Sequence, residues 1–269
     1  MFDCHVHSSF SGDSEMPAEA ACEKAIEVGL DGIAFTDHTD IDFPGSDFDF
    51  MIDYDEYFEF MDKLAKKYEG RLKVLKGIEA GIQPHVMDDT SKIIKNYDFD
   101  FVIGSIHVVD GKDTYKPSYF EGLSKHEAYS KDLKAIAWMV KEFDDFDIAG
   151  HFDYIIRKAP YEDRNLRYCE FSDIFDEIFK SLIAKGKGFE VNTSSFREYK
   201  GIITPVYDID ILKRYHELGG EIITFGSDSH TTEYLGYKFD FYKCVLQEIG
   251  FKYVAHYEKR KPVFEKIDD

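Results

Sequence analysis

Short apolar runs alternate along the chain with longer segments whose apolar residues fall at helical spacing, the pattern left by repeated β-α units. The runs predict seven strands: Phe2–His7, Gly32–Asp37, Leu72–Glu79, Phe99–His107, Phe146–His151, Gly188–Asn192 and Glu221–Asp228. Helix signals lie between them. Pro17 opens a segment that puts Ala18, Ala21, Cys22, Ala25 and Ile26 on one face, and Gly29 stops it. Tyr54–Tyr68 forms a second helix. A third starts at Ser124, where Ser-Lys-His-Glu reads as a capping box and Leu133, Ile136, Ala137 and Val140 form a stripe. Asp173–Lys185 and Asp208–Leu218 are two more. No Pro/Ser-rich linker, low-complexity tract or close repeat interrupts the series, so one domain over residues 1–269 is expected.

Alternating elements imply parallel strands, and seven of them fit either an open doubly wound sheet or a closed barrel. The strand ends decide between these. In an open sheet, site residues gather at one switch point; in a barrel they come from the C-terminal ends of many strands. Here His7, Asp37 with His38, Glu79, His107, His151, Asn192 and Asp228 each close a strand. The expected architecture is therefore α/β, a distorted TIM-like (β/α)7 barrel.

Composition narrows the function classes. At 269 residues and 43% hydrophobic, the chain suits one barrel-sized core. Its longest apolar runs are strand-length and neither a basic leader nor an apolar signal core precedes Phe2, so a cytoplasmic protein without a membrane partner is expected. Cys4, Cys22, Cys169 and Cys244 form no CxxC pair and read as small hydrophobes rather than disulfide partners or thiolate ligands. A formal net charge of −20 repels polyanions, which argues against nucleic acid as a partner. It also suits a site that gathers carboxylates around several divalent cations. Oligomeric state is left open.

The candidate chemistry follows from the strand ends. Alternation puts His5 and His7 on one face of the first strand and Cys4 and Val6 on the other, so two imidazoles can share an ion. Thr36-Asp37-His38, Gly77-Ile78-Glu79, Ser105-Ile106-His107 and Gly150-His151 each place a polar group after apolar ones. A titratable side chain at the inner end of a buried strand is costly unless paired or metal-bound, and one shared metal cluster satisfies all of them. Small neighbours, Gly77, Gly81, Gly104 and Gly150, leave room for close approach. Ser227-Asp228-Ser229-His230 closes the seventh strand with Asp and His two apart. His126 and His216 fall in helices and read as bland; His85 and His256 are undecided. Nitrogen and oxygen donors without thiolates suit Zn, Mn or Fe in a catalytic centre of two or more ions, with Glu79 the candidate bridge.

In their order, His-x-His, Thr-Asp-His, Gly-x-Glu, Ser-x-His, Gly-His and Ser-Asp-x-His, these motifs resemble the polymerase and histidinol phosphatase (PHP) family across nearly the whole chain. Asp3-Cys4-His5-Val6-His7-Ser8, Phe10-Ser11-Gly12-Asp13-Ser14, Gly104-Ser105-Ile106-His107-Val108-Val109-Asp110-Gly111 and Phe189-Glu190-Val191-Asn192-Thr193-Ser194 point to its histidinol-phosphatase branch. The resemblance implies a distorted seven-stranded barrel with three metals. His5, His7, Glu79 and Asp228 would hold the first, Glu79, His107 and His151 the second, and Asp13, His38 and His230 the third; many members carry histidine in place of Asp13, and Glu15 lies in the same loop. It also implies hydrolysis of L-histidinol phosphate in histidine biosynthesis, with Asp228, His230 and Arg197 as catalytic candidates.

In such a centre a metal-bridging water, acidified toward neutral pH, attacks phosphorus in line while the cations neutralise phosphoryl charge. Monoester hydrolysis demands accelerations of up to about 10²¹-fold, which several converging positive centres help to supply. Arg197 and Arg157, in loops at the same barrel face, can grip phosphate in a bidentate fork or can be surface charges. Glu15 and Asp153 are candidates for the substrate's ammonium, or are solvated and supporting groups. Three rival functions remain: a phosphoesterase for nucleotides or other small esters, an amide or lactone hydrolase, and an inactive metal-binding module.

Overall fold

The computed structural model describes residues 1–45, 50–197 and 208–267. Its strands in chain order are β1 (Phe2–Val6), β2 (Gly32–Thr39), β3 (Lys73–Gly81), β4 (Phe101–Ser105), β5 (Val108–Val109), β6 (Lys112–Asp113), β7 (Ile148–Ala149), β8 (Gly188–Asn192), β9 (Ile223–Gly226), β10 (Tyr253–Glu258) and β11 (Lys261–Lys266). The helices are α1 (Ala18–Glu27), α2 (Tyr54–Tyr68), α3 (Met87–Asn96), α4 (Lys125–Glu142), α5 (Ser172–Ala184), α6 (Ile209–Glu217) and α7 (Phe239–Ile249).

All seven anticipated strands form and join one parallel sheet in the order β1-β2-β3-β4-β7-β8-β9. Past the end of β9, Val6 and Ser229 form a parallel bridge, and Asp228 N donates to His5 O at 2.7 Å, so the two edges meet and the sheet is a nearly closed barrel. The expected (β/α)7 architecture is borne out. No described helix is long and apolar enough to cross a membrane.

Local chemistry explains the helix starts and stops. Ser124 caps α4 by the anticipated capping box with Glu127, and Asp53 caps α2 by accepting from Glu56 N. Gly29 follows α1 at φ 81°, a left-handed turn that a side chain would strain. Helices α3 and α7 and the hairpins β5–β6 and β10–β11 were not anticipated. Helix α3 buries only Thr90 and Ile94, too sparse a stripe to read, whereas α7 carries Phe239, Tyr242, Val245 and Leu246 along one face.

Strand alternation divides the apolar residues into two layers. Outward residues such as Ile33, Phe35, Ile78, Val102, Phe189 and Phe225 join the helices in the main core. Inward residues form a smaller plug of Phe2, Cys4, Ala34, Leu75, Phe101, Ile103 and Ile148, closed by Tyr257 from β10. The polar ligand candidates occupy the same inward faces nearer the C-terminal ends. Strand β1 is irregular between Asp3 and Val6, and simple alternation breaks there. Cys4 therefore joins the interior plug with Phe2 while Val6 packs in the outer core, so these two do not share a face as expected.

Candidate metal centre

The hydrogen-bonded ladders stop just short of several ligand candidates, which leaves His7, His107, His151, Asp228 and His230 at the strand tips facing one another. Glu79, still within β3, is opposite His38 in the β2–β3 register. Asp228 takes a left-handed backbone conformation (φ 54°) at its tip.

Three adjoining pockets result. In the first, His5 Nε2 and His7 Nε2 are 3.0 Å apart, Glu79 Oε2 lies 3.1 Å from the former and 3.5 Å from the latter, and Asp228 Oδ1 is 3.4 Å from His7 Nε2. In the second, Glu79 Oε1 is 2.6 Å from His151 Nε2 and 3.1 Å from His107 Nε2, and those nitrogens are 3.3 Å apart. Glu79 thus presents one oxygen to each pocket. In the third, Asp13 Oδ2 lies 3.3 Å from His230 Nε2 and 3.7 Å from His38 Nε2. The His7 ring stacks on both His38 and His230, with centroids 4.5 and 4.2 Å away, so the first and third pockets adjoin.

Imidazole nitrogens turned toward each other at such distances aim their lone pairs at a shared point, the arrangement a cation satisfies. The ligating atoms of His7, Asp13, His38 and His230 lie within 4.8 Å of one another, as do those of His5, His7 and Asp228 and those of His38, Glu79 and His107. The donor set, nitrogen and oxygen only, fits divalent ions of the Zn, Mn or Fe type.

Without cations the site is electrostatically divided. Burial opposes charge on His5 and His107, but adjacent carboxylates, Glu190 and Glu79 for the one and Asp40 and Glu79 for the other, raise both well above the usual histidine range. His38 is likewise raised to about 9, where burial is outweighed by Glu79, Asp40 and Asp13 together. His7 is pushed down to about 3 by burial and the neighbouring His230 and His38. Although burial opposes ionisation, Glu79 is held well below the usual carboxylate range by His5, His107 and His151, and Asp228 by Arg157 and His5. Binding ions would replace the protons these imidazoles hold.

Beyond the ligand candidates, hydrogen-bonded carboxylates support the cluster. Glu190 Oε2 is 2.9 Å from His5 Nδ1, and Glu190 Oε1 accepts from His151 N at 3.2 Å and Asn192 Nδ2 at 3.0 Å. Asp40 Oδ1 is 2.6 Å from His107 Nδ1. Ser105 Oγ donates to Glu79 Oε1 at 2.7 Å, and a Cβ on Gly150 would fall 2.2 Å from that hydroxyl, which accounts for the glycine beside His151.

Both arginines line the cavity of about 390 Å³ that opens over the cluster. Arg157 Nη1 donates to Asp228 Oδ2 at 3.0 Å and Nη2 to Asn192 Oδ1 at 3.2 Å, while the guanidinium sits 4.9 Å over the Tyr154 ring. Arg197 Nη2 donates to the carbonyls of Ser227 and Asp228 and lies over the Tyr234 ring. The lining also includes Phe43, Phe50, Asp113, Tyr115 and Lys116.

Two sequence candidates lie elsewhere. Glu15 is exposed in its loop and does not line the cavity, whereas Asp13 from the same loop does. Asp153 is buried, with both carboxylate oxygens closed to solvent, and does not line the cavity. Asp37, also at a strand end, has the opposite parity to His38 and braces the loop after β1 by accepting from Ser8 N and Ser11 Oγ. His85 is at the surface beside Asp42, and His256 stacks on Phe2 near the apolar plug. Glu190 and Asp40 were missed, though each sits at an inward position, two residues before Asn192 and two after His38.

A nearly closed parallel barrel with a carboxylate-bridged cluster of imidazoles at its C-terminal rim defines a metallohydrolase-like barrel protein. The chain belongs to the PHP domain family, whose sequence profile matches residues 3–194. It is 32% identical over 260 residues to a histidinol-phosphatase of Lactococcus lactis subsp. lactis, covering 96% of this chain and 95% of the relative. A protein named "Probable histidinol-phosphatase" from Clostridium acetobutylicum is 35% identical over 241 residues, covering 89% and 90%. The crystal structure of histidinol phosphate phosphatase from Lactococcus lactis, complexed with zinc, L-histidinol and phosphate, superposes with a TM-score of 0.90 at 31% identity, covering 97% of this chain and 98% of that one.

Proposed function

We propose that this chain is a metal-dependent phosphomonoesterase that hydrolyses L-histidinol phosphate to L-histidinol and inorganic phosphate. One observation carries the proposal: Glu79 offers one carboxylate oxygen to each of two adjoining imidazole pockets, beneath a cavity that Arg157 and Arg197 also line. Similarity along nearly the full length to a relative whose crystal structure contains zinc, L-histidinol and phosphate supports the substrate.

In this reading His5, His7, Glu79 and Asp228 hold one divalent ion, Glu79, His107 and His151 a second, and Asp13, His38 and His230 a third, with Zn, Mn or Fe suited to the donors. Bound ions supply Lewis acidity toward phosphate and a water acidic enough to act as nucleophile near neutral pH. The chain's own part is positional and electrostatic. Glu190 fixes the His5 ring from its far side, and Arg157 ties Asp228 to the wall of the cavity. The two guanidiniums bring fixed positive charge to where phosphoryl oxygens gather, while the strand tips hold the imidazoles on rigid elements. The whole of residues 1–269 acts as one domain with a small phosphate ester as its partner, in the cytoplasm and without nucleic acid.

Phosphate release from L-histidinol phosphate, measured on metal-loaded protein, should exceed release from AMP and simple phosphate esters by a wide margin and fall away after chelation. Equal rates on all of them would defeat the substrate assignment.

A further inference from the structure

His38 and His107 face different pockets but lean on the same carboxylate. Asp40, just past the end of β2 and 5% exposed, has Oδ1 at 2.6 Å from His107 Nδ1 and Oδ2 at 3.1 Å from His38 Nδ1. Its place is built into the fold. The Asp40 backbone N–H donates to Phe50 O at 2.9 Å, and the carboxylate fills the space a side chain on Gly81 would need: a Cβ there would lie 1.8 Å from Oδ1 and 2.4 Å from Cγ.

A histidine whose Nδ1–H donates to a carboxylate is fixed in one tautomer and presents the lone pair of Nε2. For His107, Nε2 faces Glu79 Oε1 and His151 Nε2 in the second pocket. For His38, Nε2 faces Asp13 Oδ2 in the third pocket. The rival contact of His38 Nδ1, with Glu79 Oε2, is longer at 3.4 Å than the one with Asp40. Glu190 makes a useful contrast, since the ligand candidate whose ring it contacts is His5.

We infer that Asp40 is a positioning residue that serves two metal pockets at once, setting the tautomer and orientation of His107 in one and His38 in the other. The inference rests on the reading of three ions. Its distinctive consequence is coupling: one substitution at Asp40 loosens two sites, whereas one at Glu190 loosens chiefly the first.

The experiment compares wild type, Asp40→Asn, Asp40→Ala and Glu190→Gln. Each is reconstituted with zinc, with bound metal counted by mass spectrometry, site affinities taken from chelator competition, and folding followed by circular dichroism. In asparagine one oxygen remains, as an uncharged and weaker acceptor for one imidazole, while the NH2 can only donate toward the other and no longer holds its Nδ1–H, so Asp40→Asn should weaken both of the ions these histidines serve, the Ala variant at least as much. Loss of an outer-shell partner costs roughly 10- to 100-fold in metal affinity. Glu190→Gln should weaken one ion. Affinities unchanged in a folded Asp40→Asn protein, or a loss confined to one ion, would overturn the inference. Should wild-type protein itself hold fewer than three ions, the three-ion reading fails and the coupling with it. A full wild-type complement beside an unaltered variant defeats the coupling alone. If Asp40→Ala does not fold, the Asn variant still decides.

Discussion

Substituting Gly226 with alanine would put a methyl group where Glu190 and His5 already sit. The added Cβ would lie 2.3 Å from Glu190 Oε2 and 2.6 Å from His5 Cβ. Neither neighbour can retreat cheaply. Glu190 is held by His5 Nδ1, Asn192 Nδ2 and His151 N, and His5 Cβ moves only with the backbone of β1. Overpacking of this kind costs about 1–3 kcal/mol. Displacing the Glu190 carboxylate forfeits a charge-assisted hydrogen bond, worth about 1.5–3 kcal/mol. Against this, alanine restricts the unfolded chain and returns about 0.4–1 kcal/mol. The net loss is on the order of 2–5 kcal/mol, which corresponds to a Tm lower by about 5–15 °C for a chain of this size. Thermal unfolding of chelator-treated protein measures it without stabilisation from bound ions. Zinc-binding stoichiometry should fall in parallel, because a tilted His5 ring no longer faces the first pocket. Combining Gly226→Ala with Glu190→Ala should cost less than the sum of the two, since the methyl then enters vacated space. A Tm within about 1 °C of wild type, with full metal content, would refute the reasoning.

Three further outcomes are expected. Replacing Arg157 by Ala should lower kcat/KM by roughly 10²- to 10³-fold, as loss of one preorganised donor does, with Lys restoring charge but not the fork; an unchanged kcat/KM would remove Arg157 from the site. Burial pushes the Asp132 carboxyl up to about 8, against the opposing influence of His107. The folded chain therefore keeps a proton that the unfolded chain has already released, and stability falls as pH rises from about 4 to about 8. Asp132→Asn should flatten that fall, the two proteins differing by a few kcal/mol at pH 8 in urea titrations and converging near pH 4; parallel curves would refute it. Phe179→Ala, in a cluster where ring centroids of Phe175, Phe189 and Tyr215 lie 5.4 to 5.7 Å away, should cost about 3–5 kcal/mol and leave metal stoichiometry unchanged. A coincident loss of metal would mean that this core layer also supports the rim.

Helix α3 and strand β11 were illegible because they bury little, and periodicity reports only burial; β10 buries Val254 to Tyr257 as a continuous run, with no alternation to read. With Asp40 and Glu190 the difficulty is different. An acidic residue at an inward strand position reads the same whether it will bind a cation or brace a neighbouring imidazole. Glu79 and Glu190 share that setting, each on a buried strand with apolar neighbours, yet one spans two pockets and the other stands behind His5.

Legible in the sequence were the seven strands, the barrel and the polar groups at its strand ends, because strand alternation and apolar burial act over a few residues and leave a local record; the full set of nine, with Asp13 from a loop, rested on the resemblance to the PHP family. Only the tertiary structure decided which atoms face each other. It broke the alternation at Cys4, closed Asp153 away from the cavity and left Glu15 in solvent. It also gave Asp40 to two histidines, one of them 67 positions away in the chain. Those outcomes depend on barrel closure, loop path and the space left by Gly81 and Gly226, which arise from contacts between distant segments and have no counterpart in local spacing.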